Sequence, residues 1–241
     1  MKQPIKVNIL VPIYNEIQFI NSFLESLRNQ NIFNKKSYLC TISLIDGDSS
    51  DGTLDVLSKF KKDFSFKADV KIVSNPKKFV PHGLNKVIKK SNDDLICRVD
   101  VHAYYPKNYL ECLCETIVNT DSKDKIANVG TSIRTLASEN TLVARSIAKV
   151  CSHRFGVGSS FRSISSNTMQ YVDTVPFGCW KKEIFNEVGL FDEMMLRNQD
   201  DEFNWRLGMA GFKIGLIPNI SVDYFSRTNI WDHIVMHYQY G

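Results

Sequence analysis

Three acidic clusters along this 241-residue chain have residue types and spacing suited to chemistry. The first is Asp46, which ends an apolar run and opens Asp46-Gly47-Asp48-Ser49-Ser50-Asp51-Gly52-Thr53. A carboxylate at a strand end can accept a hydrogen bond from a nucleotide base N–H, although Asp, Gly and Ser also make ordinary turns. The second is Arg98-Val99-Asp100-Val101-His102. In an extended segment residues two apart point the same way, so Asp100 and His102 offer a two-ligand platform for a divalent cation such as Mn2+, or Mg2+. A salt-bridged Asp beside a surface His is the plainer alternative. The third is Asn198-Gln199-Asp200-Asp201-Glu202, with Phe203, Trp205 and Leu207 following. Acidic residues at a helix start are ordinary capping, since they satisfy exposed amides and the helix dipole. One of them could also serve as a general base. Neighbours on a helix point about 100° apart, so only one of Asp200 and Asp201 can face an acceptor.

The elements that would position these groups alternate through the first half. Ile5 to Val11, Tyr38 to Ile45, Val70 to Ser74 and Asp94 to Val99 read as strands. Glu16 to Asn29, Thr53 to Phe60 and His82 to Lys90 carry helical apolar spacing. This order predicts an α/β chain with a single Rossmann-like, mainly parallel sheet flanked by helices, which binds ligands beyond the carboxyl ends of its strands. Farther on, Pro106 to Asn119, Thr141 to Cys151, Lys181 to Val188 and Asp200 to Met209 read as helices, and Tyr171 to Phe177 as a strand. Ser152 to Gln170 reads as a long flexible loop. No linker divides the chain, so one domain is expected over 1–241, with a regular alternating half to about residue 102 and a less regular half from about 103.

Thirty basic and 26 acidic residues leave a net charge of +4, too small a surplus for a nucleic-acid stripe. The six cysteines include no CxxC pair and no accompanying His cluster, which argues against a zinc motif and for a reducing compartment. No signal peptide is evident, and no run reaches the roughly 18 apolar residues of a membrane helix. Absence of GxGxxG, GxxxxGK[ST] and GxSxG disfavours dinucleotide enzymes, P-loop enzymes and α/β-hydrolases.

Taken together, the motifs resemble family 2 glycosyltransferases. Val11-Pro12-Ile13-Tyr14-Asn15-Glu16 resembles their opening motif, and Ile45 to Thr53 their second. Asp100-Val101-His102 stands where they carry the DXD metal motif, and Gln199 to Leu207 where they carry the acidic motif with the base. The chain is similar in particular to succinoglycan-type exopolysaccharide glucosyltransferases, through Arg98 to Ala103, Asp173 to Gly178 and Arg197 to Phe203.

The resemblance implies a GT-A fold, with a nucleotide-sugar-binding half to about residue 102 and an acceptor-binding half from about 103, and a metal-dependent, inverting hexosyl transfer. The donor would be a nucleotide-diphosphate sugar, with UDP favoured, and the acceptor a saccharide, in particular a lipid-linked one. Pro12, Tyr14 and Glu16 would line the nucleoside pocket with Asp46 on the base, and Arg98 and Asp100 would also meet the nucleotide. Asp100 and His102 would hold the metal. Asp200, or less favourably Asp201, would be the base, with Phe177, Gly178, Asn198 and Gln199 in the acceptor region. The resemblance also implies a chain continuing past Tyr238-Gln239-Tyr240-Gly241 into membrane segments, at the cytoplasmic face of the inner or plasma membrane. Three positions depart from the family pattern: His102 for a DXD aspartate, Gln199 for a glutamate, and Tyr224 for a later metal-completing histidine. Two other readings compete. A nucleotidyltransferase would want a Gly- and Lys-rich loop where Pro12 to Glu16 stand, and a non-catalytic binder or membrane-complex scaffold would want no base.

Overall fold

The computed structural model describes residues 3–137, 139–152, 167–195 and 197–226. Strands and helices alternate as β1 (Ile5–Ile13), α1 (Ile20–Arg28), β2 (Tyr38–Asp46), α2 (Thr53–Phe64), β3 (Asp69–Ser74), α3 (Val80–Lys90) and β4 (Leu95–Arg98). There follow β5 (Ala103–Tyr104), α4 (Tyr109–Asn119), β6 (Ile126–Ala137), α5 (Leu142–Ser152), β7 (Gln170–Val172), β8 (Gly178–Lys181), α6 (Ile184–Glu187), α7 (Gln199–Met209) and β9 (Lys213–Ser226).

The nine strands of the described residues join one sheet in the order β3-β2-β1-β4-β8-β6-β9-β5, with β7 paired to β9. The first four strands are parallel to one another, as their crossover helices require. Beyond β4 the sheet is mixed: β8 runs antiparallel to both β4 and β6, while β6 and β9 are parallel.

Side-chain alternation along the central strands feeds two cores. Val7, Ile9, Val11 and Ile13 of β1 face one side with Phe23 and Leu27 of α1, Leu57 and Phe60 of α2, and Leu113 of α4. Leu10, Ile45 and Ile96 face the other side with Leu84 and Ile88 of α3, Trp180, Phe185, Phe191, and Phe203 and Leu207 of α7. Helices therefore cover both faces, and the carboxyl ends of β1, β2 and β4 are left to hold ligands.

Several local expectations are corrected. The first helix begins at Ile20, not Glu16: residues 17–19 form a turn in which the amides of Phe19 and Ile20 donate to Glu16 O, while the amides of Asn15, Glu16 and Ile17 donate to the side chains of Ser49, Thr53 and Asp51. Residues 173–177 form a turn rather than strand, and Lys181 ends β8 rather than opening a helix. Strands β6 and β9 carry no clear period-2 signature. The first six residues of β6 are buried on both faces, and β9 is interrupted by Pro218 and by Asn219 with φ 60°. Most of the expected Ser/Gly-rich loop, 153–166, and the 238–241 segment lie outside the described residues.

Candidate active site

The opening loop and the loop after β2 are laced together. Ser50 N–H donates to Asn15 Oδ1 at 2.9 Å, and Gly47 N–H to Ile13 O at 2.8 Å, in addition to the three side-chain contacts above. Asp46 is buried at the centre of this lacing. Its Oδ2 accepts from the amides of Asp48 and Ser49 at 3.1 and 3.2 Å, whereas its Oδ1 is buried with no hydrogen-bond partner among the described residues. A buried carboxylate oxygen left unpaired is costly, so Oδ1 suits a donor brought by a ligand.

Tyr14, half-exposed, lies against Gly47, where an added Cβ would fall 3.2 Å from the Tyr14 side chain, and under Lys78, whose Nζ is 5.0 Å from the ring centroid and 3.4 Å from the hydroxyl. Asn75 anchors that side: its N–H donates to Asp46 O at 2.7 Å and its Nδ2 to Phe79 O at 2.9 Å. Helix α3 approaches here so closely that a Cβ on Gly83 would lie 2.5 Å from Ile45 Cγ2. The sequence reading missed Asn75 and Lys78; their only signal was an Asn-Pro turn dipeptide.

The second cluster turns out of β4. Asp100 N–H donates to the Tyr105 hydroxyl at 2.7 Å, and Asp100 Oδ1 accepts from His102 N–H at 2.9 Å. His102 O in turn accepts from Phe225 N–H of β9 at 3.0 Å, and its ring sits 4.6 Å from that of Phe19. His102 Nε2 lies 3.0 Å from Glu16 Oε1. Glu16, expected among the nucleoside contacts, is thus drawn to the imidazole. Two carboxylates and an imidazole make an N/O donor set compatible with Mn2+ or Mg2+. They do not close into a three-ligand cage by themselves, since the one group of three convergent ligand atoms among the described residues lies elsewhere. Tyr224 pairs in register with Ala103 and packs partly buried against the core.

The third cluster meets the second through a buried ion pair. Arg98, expected on the nucleotide, directs its Nη1 to Asp200 Oδ1, with side-chain exposures of 6% and 16%. With its amide oriented to satisfy both neighbours, Gln199 accepts from Arg98 Nη1 and Nη2 at 3.1 and 3.2 Å. Burial raises the Asp200 carboxyl above its ordinary value; Arg98 and the Phe177 N–H pull against that rise, and Asp201 adds to it. Burial also opposes charge on Arg98, but Asp200 and Asp100 outweigh it and hold the guanidinium protonated. Asp201 is exposed and accepts from Thr174 Oγ1 at 2.7 Å, so the two aspartates diverge as helical geometry requires.

A polar network holds α7 in this pose. Asn204, one turn after Asp200, donates to Thr174 Oγ1 and Val175 O at 2.9 and 3.2 Å, and accepts from Asn128 Nδ2 at 2.9 Å. The turn it grips carries Phe177 at φ 62° and Gly178 at φ 119°. A bulky residue at positive φ is a backbone outlier, and here it aims the Phe177 amide at Asp200. A Cβ on Gly178 would fall 2.3 Å from Asn128 Oδ1. Gly178→Ala is therefore expected to cost about 1–3 kcal/mol from backbone strain alone. The clash should add to that and lower Tm by several degrees; a thermal melt matching the parent would show that the turn relaxes freely.

This arrangement, with carboxylates beyond the strand ends of a half-parallel, half-mixed sheet, is that of a GT-A glycosyltransferase. Residues 8–146 match the model of glycosyl transferase family 2, and the chain belongs to that family. A dolichyl N-acetyl-alpha-D-glucosaminyl phosphate 3-beta-D-2,3-diacetamido-2,3-dideoxy-beta-D-glucuronosyltransferase of Methanococcus voltae is 33% identical over 98% of this chain and 71% of its own. Succinoglycan biosynthesis protein ExoA of Rhizobium meliloti (strain 1021) is 25% identical over 97% of this chain and 67% of its own. Among solved structures, the mannosyltransferase PcManGT from Pyrobaculum calidifontis, in complex with GDP-Man and Mn2+, superposes with TM-score 0.66 at 15% identity. That match covers 96% of this chain and 62% of that one. S. aureus TarS 1-349 in complex with UDP-GlcNAc gives TM-score 0.63 at 15% identity, covering 92% and 60%. The chain thus spans less than two thirds of either solved chain. Among the described residues no helix is long and apolar enough to cross a membrane.

Proposed function

We propose that this glycosyltransferase moves a hexose from a UDP-sugar to a lipid-linked saccharide at the cytoplasmic face of a membrane, with inversion at the anomeric carbon. The observation that carries the reading is Asp200: a carboxylate held at the carboxyl end of β4 by a buried guanidinium, with its proton affinity raised by burial. Such a group can take the proton from an acceptor hydroxyl as that hydroxyl attacks. A single base and a single displacement invert configuration, by the logic that separates one-step from two-step glycosyl chemistry.

Asp46 Oδ1 is the acceptor for a base N–H, with Tyr14 and Lys78 alongside. Asp100, His102 and Glu16 would hold a divalent ion. When bound, that ion supplies neutralisation of the charge developing on the departing nucleoside diphosphate. PcManGT with GDP-Man and Mn2+ supports the ion, TarS with UDP-GlcNAc supports the nucleotide, and the dolichyl phosphate in the Methanococcus voltae relative's name supports the lipid-linked acceptor.

Calorimetric titration with UDP, GDP as control, in Mn2+ and then in EDTA, tests this reading. UDP is expected to bind in Mn2+ and to weaken in EDTA, and His102→Ala is expected to abolish the difference. Equal UDP binding with and without the ion would remove Asp100 and His102 from the ligand set. Preference for GDP would reassign the nucleotide, and binding of neither would favour a scaffold.

A further inference from the structure

The chain also holds a cluster that the transfer chemistry does not use. Cys97 of β4, Cys114 of α4 and Cys179 of β8 lie far apart in sequence, yet their three Sγ atoms all fall within 4.8 Å of one another. Cys97 and Cys114 approach to 3.8 Å, and Cys97 and Cys179 are register partners on adjacent antiparallel strands. All three side chains are fully buried in the larger core. Buried free cysteines ordinarily pack as small hydrophobes, one at a time. Three sulfurs converging from three separate elements form a trigonal donor set.

The surroundings select what such a set would take. Soft thiolate ligands prefer soft, thiophilic ions. Structural zinc takes four ligands, and three thiolates around a divalent ion would leave net negative charge in an apolar core, where unpaired charge is costly. A trivalent ion with three thiolates is neutral. Burial pushes the Cys179 thiol well above its ordinary value, so the neutral thiol is the resting form and a ligand must carry its own means of removing the protons.

We propose that Cys97, Cys114 and Cys179 form a binding site for a trivalent thiophilic ion of the arsenite class. Neutral arsenous acid exchanges its three hydroxyls for the three thiols. Three As–O and three S–H bonds break, three As–S bonds form, and the hydroxyls leave as three waters. Arsenic stays trivalent, and no charge enters the core. The bound ion ties β4 and β8 to α4, one residue from Arg98 and from Gly178. The site stands whether or not the proposed donor and acceptor are correct.

The test uses the reduced full chain and sodium arsenite. Because the cluster is fully buried, incubation is continued until amide exchange of β4 and β8 is complete, so that the core has opened at least once. Native mass spectrometry is expected to show one arsenic per chain with three protons lost, retained through gel filtration and accompanied by a raised Tm. Cys114→Ala should lose the retained arsenic. Cys112→Ala, which removes a half-buried thiol outside the three-sulfur group, should keep it. Should Cys114→Ala not fold, X-ray absorption on the parent complex decides the matter by counting three sulfurs around arsenic. No retained arsenic, retention undiminished in Cys114→Ala, or fewer than three sulfurs would each overturn the site and leave the cluster as core packing.

Discussion

Asp200→Asn is expected to cut glycosyl transfer by roughly 100- to 10,000-fold, the range contributed by a positioned general base. The amide keeps the carboxylate's shape and retains an oxygen for Arg98 Nη1 and the Phe177 N–H, so the pocket should stay folded. It loses the ability to accept a proton and also the charge that pairs with Arg98, so some loss of stability is expected beside the loss of turnover. Nucleotide affinity should be unchanged, because the unpaired Asp46 Oδ1 lies at another strand end. The pH dependence of stability should also flatten. A carboxyl raised in the folded state contributes stability that is present below its unfolded value and is lost as pH rises through the folded one, and the amide has no such titration. Steady-state kinetics with UDP calorimetry checks the first claim. Near-parental turnover would move the base elsewhere, with Asp201 the next residue to examine.

The second large effect falls on Arg98. Arg98→Met leaves the Asp200 carboxylate buried without its cation, and removing one partner of a buried pair costs about 3–5 kcal/mol. Arg98 holds the Asp200 carboxyl down against burial, so its loss pushes that carboxyl further up. The acid limb of the transfer profile should then move to higher pH, because the base stays protonated longer. Protonation also relieves the unpaired charge, so the stability deficit should be smaller in acidic buffer than in neutral buffer. Arg98→Lys should recover charge but lose the fork that serves Asp200 and Gln199 together, giving an intermediate profile. Rate-against-pH curves for the three proteins decide this; superimposable acid limbs would show that Arg98 does not set the proton affinity of Asp200.

Much of this architecture is written locally. The helical spacing of Ile20, Phe23, Leu24 and Leu27, and the β-α alternation as far as Arg98, reflect short-range periodicity that any segment displays by itself. Asp46, Asp100, His102 and Asp200 were legible because polar residues at the ends of apolar runs break those patterns. Strand β6 was not legible, because a strand buried on both faces through Ala127, Asn128 and Gly130 does not alternate.

The amino-acid sequence by itself thus determined the class of fold, the family and the residue types available for chemistry, since each depends on local patterns and on motif order. Only the tertiary structure decided which of those residues meet. It paired Arg98 with Asp200, set Glu16 against His102, bonded Asp201 to Thr174, and gathered Cys97, Cys114 and Cys179 into one cluster. The physical reason is common to all four. Each pairing joins elements that are neighbours only after strand order, register and helix placement are settled, and those are fixed by burial across the whole sheet rather than by any one segment.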